Sequence, residues 1–241
     1  VASMNSELEL LKMEEENETR RILYELTAMV AENREVFEAD KRLIEKLDYI
    51  FAKGKLSAAM EAKEPQINME RNIRIRNGRH PLMSREHAVP LSFELGNRGN
   101  GVVITGPNTG GKTVTMKTVG LFCIMAQCGI HVPCEEASLC MNNQVLCDIG
   151  DGQNISENLS TFSAHITNVL DILKKAGPES LVLLDELGSG TDPAEGMGIA
   201  IAILESLRQC GCLFLVTTHY PEVKGYAEAA DGVENARMAF D

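Results

Sequence analysis

The stretch VVITGPNTGGKTVTMK, Val102 to Lys117, restricts the fold of this chain more than any other. A short apolar run predicts a buried strand, and the segment after Lys112 predicts a helix. The turn between them fits the spacing G-x-x-x-x-G-K-[ST]. Gly106, Gly110 and Gly111 let the backbone curl, so that its N–H groups point inward at an anion. The helix that follows presents the positive end of its dipole to the same place. Lys112 adds a point charge, and the Thr113 hydroxyl is placed to ligate Mg²⁺. The pattern predicts a nucleoside triphosphate held with Mg²⁺ by Gly106, Pro107, Asn108, Thr109, Gly110, Gly111, Lys112, Thr113 and Val114.

Downstream of Pro65, short apolar runs alternate with helical stretches. Strands are expected at Val102–Thr105, near Gln144–Cys147, at Leu181–Glu186 and at Leu213–His219. Helices are expected from Lys112 to about Cys128, from Ser160 to Lys175 and after Pro193. Such alternation predicts an α/β fold with a mainly parallel central sheet covered on both faces. Upstream, residues Ser6 to Phe51 contain neither Pro nor Gly. Ile22, Leu26, Met29, Val36, Leu43, Leu47 and Ile50 fall on a three-four spacing, interrupted by Asn33 and Asp40. One helix is expected, roughly 65–70 Å long at 1.5 Å per residue, serving as a coiled-coil half or as a lever. Gly54 and Pro65 mark its end. Two domains follow from this reading, a helical connector at 1–64 and an α/β domain at 65–241.

A net charge of −12 argues against a surface that grips nucleic acid over its whole extent. Arg71, Arg74, Arg76 and Arg79 form a local basic stretch, expected as a strand with Ile73 and Ile75 inward and arginines outward. The seven cysteines form no C-x-x-C pair, which fits reduced thiols rather than disulfides or a zinc site. No apolar run reaches membrane-spanning length. The chain begins at Val1 with no signal-peptide pattern, so a cytoplasmic protein cut from a longer chain is expected.

LVLLDELGSGTD narrows the chemistry. Asp185 at the strand tip is placed to hold Mg²⁺ through water, and Glu186 to orient and deprotonate an attacking water. His219 closes the strand LFLVTTH; in a parallel sheet its side chain emerges in the ligand crevice, as a hydrogen-bonding sensor of the γ-phosphate. Lys112, Glu186 and His219 are thus the candidate catalytic set. In ENLSTFSAHITNVLDIL, Ser160 is expected to cap a helix whose apolar face includes Phe162, Ile166 and Leu173. The Ser160–Thr161 pair at that helix start is also a candidate anion site.

Taken together and in order, GRHPLM, GPNTGGKT, LSTFSAHITN, LVLLDELGSGTDPAEG and TTHY resemble the ATPase domain of the MutS mismatch-repair family. TVTMKTVG, SAHITN and GTDPAEG are closer to its second bacterial type, which lacks the mismatch-reading domain. The likeness covers most of residues 67–241, and the preceding helix resembles that type's lever helix. The resemblance implies an ABC-type P-loop ATPase that uses ATP and Mg²⁺ and works as a homodimer with composite sites. By position, Ser160 and Thr161 would reach the γ-phosphate held by the other subunit, and Ser189–Asp192 would cross the dimer interface. Val89 and Pro90 fall where the family packs adenine, although no aromatic stands there, and Gln153 would assist the metal or the water. The implied partners are branched or recombining DNA, or collided ribosomes, reached mainly through other parts of a longer protein. An Smr nuclease domain usually follows in this type.

Two other readings fit parts of the chain. A long helix beside an ABC-type head resembles SMC-like chromosome ATPases, which carry a Gly-rich SGGQ-type element where this chain has LSTFS. A helical interaction fragment with an idle nucleotide pocket is the other.

Overall fold

A computed structural model describes residues 2–84, 86–106, 111–150 and 158–238, without the side chains of residues 2, 3 and 158–161. The chain divides into two compact units, Val1–Gly54 and Lys55–Asp241.

The first helices are α1 (Ala2–Glu32) and α2 (Arg34–Ala59). The single uninterrupted helix expected from the sequence is therefore corrected to two, parted at Asn33. There the side-chain amide donates to the Met29 carbonyl at 2.9 Å and competes with the helical ladder. The helix also runs through Gly54 to Ala59, because a lone glycine costs only about 1 kcal/mol against alanine. Ile22, Leu26, Met29, Val36, Leu43, Leu47 and Ile50 are all exposed. Mixed charges pair along the same surface, as in Arg21 with Glu18 and Glu25, and Arg34 with Glu38.

In the second unit the elements are β1 (Gln66–Asn68), β2 (Ile73–Gly78), β3 (Leu91–Leu95), β4 (Gly101–Thr105), α3 (Lys112–Gln127), β5 (Glu136–Cys140) and β6 (Gln144–Asp148). They continue with α4 (Asn158–Lys175), β7 (Ser180–Leu184), α5 (Pro193–Cys210), β8 (Leu213–Thr218), α6 (Pro221–Ala229) and β9 (Val233–Ala236). Five strands form a wholly parallel sheet in the order β6-β7-β8-β4-β9. The α/β class is therefore as expected. A second sheet was not foreseen: β1-β5-β2-β3, in which β2 runs antiparallel to both neighbours. Its strands are short and half polar, so their periodicity is weak in the sequence.

Alternate residues of the parallel strands face opposite sides, and each side closes a core. Val102, Ile104, Leu181, Leu183, Leu213 and Leu215 pack with Met116, Val119 and Phe122 of α3 and with Ile73, Ile75 and Leu139 of the mixed sheet. Val103, Val182, Leu184, Phe214 and Val216 pack with Val169 and Ile172 of α4 and Ala200, Leu204 and Leu207 of α5. Helix α5 is bounded by an Asp192 cap that accepts from Ala194 N, by Pro193 in its first turn and by Gly211 at φ 75°.

On β2, Ile73 and Ile75 point inward and Arg74 and Arg76 outward, as expected. Arg71 departs from that pattern. At φ 56° it turns back, and its guanidinium donates to the carbonyls of Met141, Pro178, Glu179 and Ser180 and to Asn142 Oδ1. It ties the chain entering β2 of the mixed sheet to the start of β7, and is not an outward-facing charge. Ser160 lies within the described helix α4 (Asn158–Lys175), and not at its cap.

Candidate functional site

The site is built where the parallel strands end. β4 stops at Thr105, and the chain leaves it through Gly106 at φ 140° and re-enters a helix through Gly111 at φ 73°. Both backbone conformations are ones that side-chain-bearing residues rarely adopt. Pro107, Asn108, Thr109 and Gly110 lie outside the described residues.

Lys112 opens α3 and is only 2% exposed. Its stem packs inward while its ammonium donates to the carbonyl of Gly106 and, at 3.5 Å, to that of Thr218. His219 Nδ1 is 3.4 Å away. Burial lowers the lysine pKa from its ordinary value, and the negative charges of Glu186 and Asp185 act against that shift.

Beside it the Thr113 hydroxyl donates to Asp185 Oδ2 at 2.7 Å. The other oxygen, Oδ1, accepts from the Thr217 hydroxyl. Asp185 is 5% exposed, so both carboxylate oxygens are satisfied within the protein. Thr113 and Asp185 together present hard oxygen donors, the chemistry that suits Mg²⁺ completed by water and phosphate. Among the described residues no group of three or more His, Cys, Asp or Glu side chains could hold a metal.

Glu186 adopts φ 51°, rare for a residue with a side chain, and conformations of this kind cluster at functional sites. Its N–H donates to Thr217 Oγ1 at 2.8 Å, and Leu187 N–H donates to the Thr217 carbonyl at 2.8 Å. Glu186 Oε1 stands 3.5 Å from His219 Nε2. The next turn is pinned as well: Gly188 is at φ 85°, and its carbonyl accepts from the Tyr220 hydroxyl at 2.9 Å. Ser189 N–H closes onto the Glu186 carbonyl at 3.0 Å.

Two neighbouring features complete the region. Asp148, at the end of β6, is paired with His165 Nδ1 at 2.5 Å and accepts from Asn168 at 2.7 Å, while its carbonyl accepts from Asp185 N–H at 2.9 Å. His165, Phe162 and Ser189 share a small cleft with Asp185 and Glu186. A cavity of about 550 Å³ lies along the start of α3, lined by Val89, Pro90, Gly111, Val114 and Thr115 with His80 and His87.

The fold thus brings Gly106, Gly111, Lys112, Thr113, Asp185, Glu186 and His219 together. Val89 and Val114 both line the adjoining cavity. Ser160 and Thr161 lie within α4, with side chains outside the described residues, and Gln153 also lies outside them. Sequence reasoning missed Thr217, Asp148, His165 and the histidines of the cavity. The polar pair Thr217–Thr218 at the end of an otherwise apolar strand was the available signal for the first.

This geometry defines an α/β protein whose candidate site sits at the carboxyl ends of parallel strands, the usual ligand position in such sheets. Residues 102–241 match the family profile of MutS domain V, and the chain belongs to that family. Over 242 aligned residues, all of this chain, it is 50% identical to the Endonuclease MutS2 of Alkaliphilus oremlandii (strain OhILAs). The corresponding identities are 48% to Endonuclease MutS2 of Clostridioides difficile (strain 630) and 47% to that of Caldanaerobacter subterraneus subsp. tengcongensis. In each case the chain spans 31% of the relative's length. No helix among the described residues is long and apolar enough to cross a membrane.

Proposed function

We propose that this chain is the ABC-type P-loop ATPase part of a MutS protein of the second bacterial type, binding ATP with Mg²⁺ and hydrolysing it. One observation carries the reading. At the start of α3 and just beyond the ends of β7 and β8, His219 stands between Lys112 and Glu186, Thr113 bonds Asp185, and Thr217 joins the two groups through Asp185 and Glu186. Membership in the MutS domain V family supports it.

In this mechanism Lys112 exchanges its carbonyl acceptors for the outer phosphates and offsets the charge that grows during phosphoryl transfer. Thr113 directly and Asp185 through water would hold Mg²⁺, which would supply positive charge against the negative charge of the phosphates. Glu186 orients the attacking water and takes its proton. His219, set between Lys112 and Glu186, hydrogen-bonds the γ-phosphate. The adenine base would occupy the cavity lined by Val89 and Val114, and Pro107, Asn108, Thr109 and Gly110 would contact the phosphates. Gln153 would assist the metal or the water.

The proposal extends to a homodimer in which Ser160 and Thr161 of one copy complete the site of the other, with Ser189–Asp192 at the interface. ATP would draw the two domains together, and the helical segment would transmit that movement to a clamp on branched DNA or stalled ribosomes. The client-binding parts and an Smr nuclease domain belong to the longer protein.

Measuring ATP turnover against protein concentration, with nucleotide binding alongside, tests the composite site. Activity rising faster than linearly is expected. Full turnover by an isolated copy would remove the dimer, and binding without any turnover would leave the idle-pocket reading.

A further inference from the structure

Thr217 lies at 0% exposure near the end of β8, one strand away from the carboxylates it serves. Its hydroxyl donates its only proton to Asp185 Oδ1 and accepts the Glu186 N–H at 2.8 Å. Its own carbonyl then accepts the Leu187 N–H at 2.8 Å. One residue therefore holds a side chain and two consecutive backbone groups at the point where the chain leaves β7.

We infer that Thr217 is a positioning residue for the carboxylate pair, an inference that rests on the ATPase reading above. The donated proton fixes the rotation of the Asp185 carboxylate, and so leaves Oδ2 as the oxygen that faces Thr113. The accepted N–H holds Glu186 at φ 51°, where its carboxylate meets His219. Without the hydroxyl, the buried Asp185 Oδ1 loses its donor and the part-buried Glu186 N–H loses this acceptor, so each group is driven toward a new partner. Rotation of Asp185 would then disturb its metal-facing oxygen, and relaxation of Glu186 toward ordinary φ would swing the base away. Thr217 touches neither substrate nor water in this scheme. It acts through its two neighbours.

A pair of variants isolates the hydroxyl. Thr217→Ser keeps it and Thr217→Ala removes it, and both lose the same methyl packing. Steady-state ATP hydrolysis and Mg²⁺-dependent binding of a fluorescent ATP analogue are measured for the parent and for both variants. The Ser form is expected near parent turnover, and the Ala form about 10–100-fold lower in kcat, as is usual when a partner supporting a metal-site group is lost. The Ala form should also need more Mg²⁺ to bind the analogue, while the Ser form should not. Equal behaviour of Ser and Ala in both readouts, or a Ser form as impaired as Ala, overturns the role of Thr217 while leaving the ATPase reading intact if the parent turns ATP over. A parent that neither binds nor hydrolyses nucleotide overturns both.

Discussion

The Thr113 hydroxyl sits 2.7 Å from Asp185 Oδ2, joining the first turn of α3 to the end of β7 by a single hydrogen bond. With Thr113 ligating Mg²⁺ and Asp185 holding it through water, as proposed, Thr113→Ala should raise the Mg²⁺ concentration needed for nucleotide binding by about 10–100-fold. Thr113→Ser should recover most of it. Titrating Mg²⁺ against binding of a fluorescent ATP analogue reads this directly, and an unchanged Mg²⁺ requirement would remove Thr113 from the metal site.

Glu186 is held at φ 51° with its carboxylate 3.5 Å from His219. In the proposed role of general base it would contribute about 10²–10⁴-fold. Glu186→Gln should therefore retain ATP, lower kcat by about that factor and favour the dimer. Hydrolysis at the parent rate by the Gln form would show that another group takes the proton.

Gly101 pairs with Phe214 across β4 and β8, and a Cβ placed on it would fall 2.0 Å from the Phe214 ring carbon Cζ. Phe214 is wholly buried, so the ring has nowhere to go without moving its neighbours. Gly101→Ala should cost about 1–3 kcal/mol through overpacking. Thermal unfolding should register a loss of about 2–4 °C for each kcal/mol, and an unchanged midpoint would mean that the sheet accommodates the methyl.

Burial pushes the Cys123 thiol from an ordinary value of 9.0 up to about 12, and Cys212 likewise up to about 12. Raised values keep these thiols protonated. Near pH 8 the reactive thiolate fraction of Cys123 is about a thousandfold lower than for an ordinary thiol, because the thiolate is the nucleophile. Cys128 and Cys147 are exposed. A thiol reagent followed by peptide mass analysis should therefore label Cys128 and Cys147 in the native protein. Cys123 and Cys212 should react only after denaturation, and early labelling of Cys123 would contradict the packed core around α3.

The sequence by itself determined the α/β class, the strand–loop–helix unit around Lys112 and the inward face of β2, since each depends on neighbours within a few positions. Glycine at 106 and 111 and the apolar runs of β4, β7 and β8 carry that information locally. Only the tertiary structure decided which side chains meet. Strand order and register set Thr217 under Asp185 and Glu186, and His165 against Asp148, across 32, 31 and 17 positions of sequence. The same holds for Arg71, whose bonds to residues 178–180 turn a charge that reads as outward-facing into a tie between two sheets. Side-chain period is a property of one segment, whereas pairing across strands depends on how separate segments pack, and no short stretch encodes it.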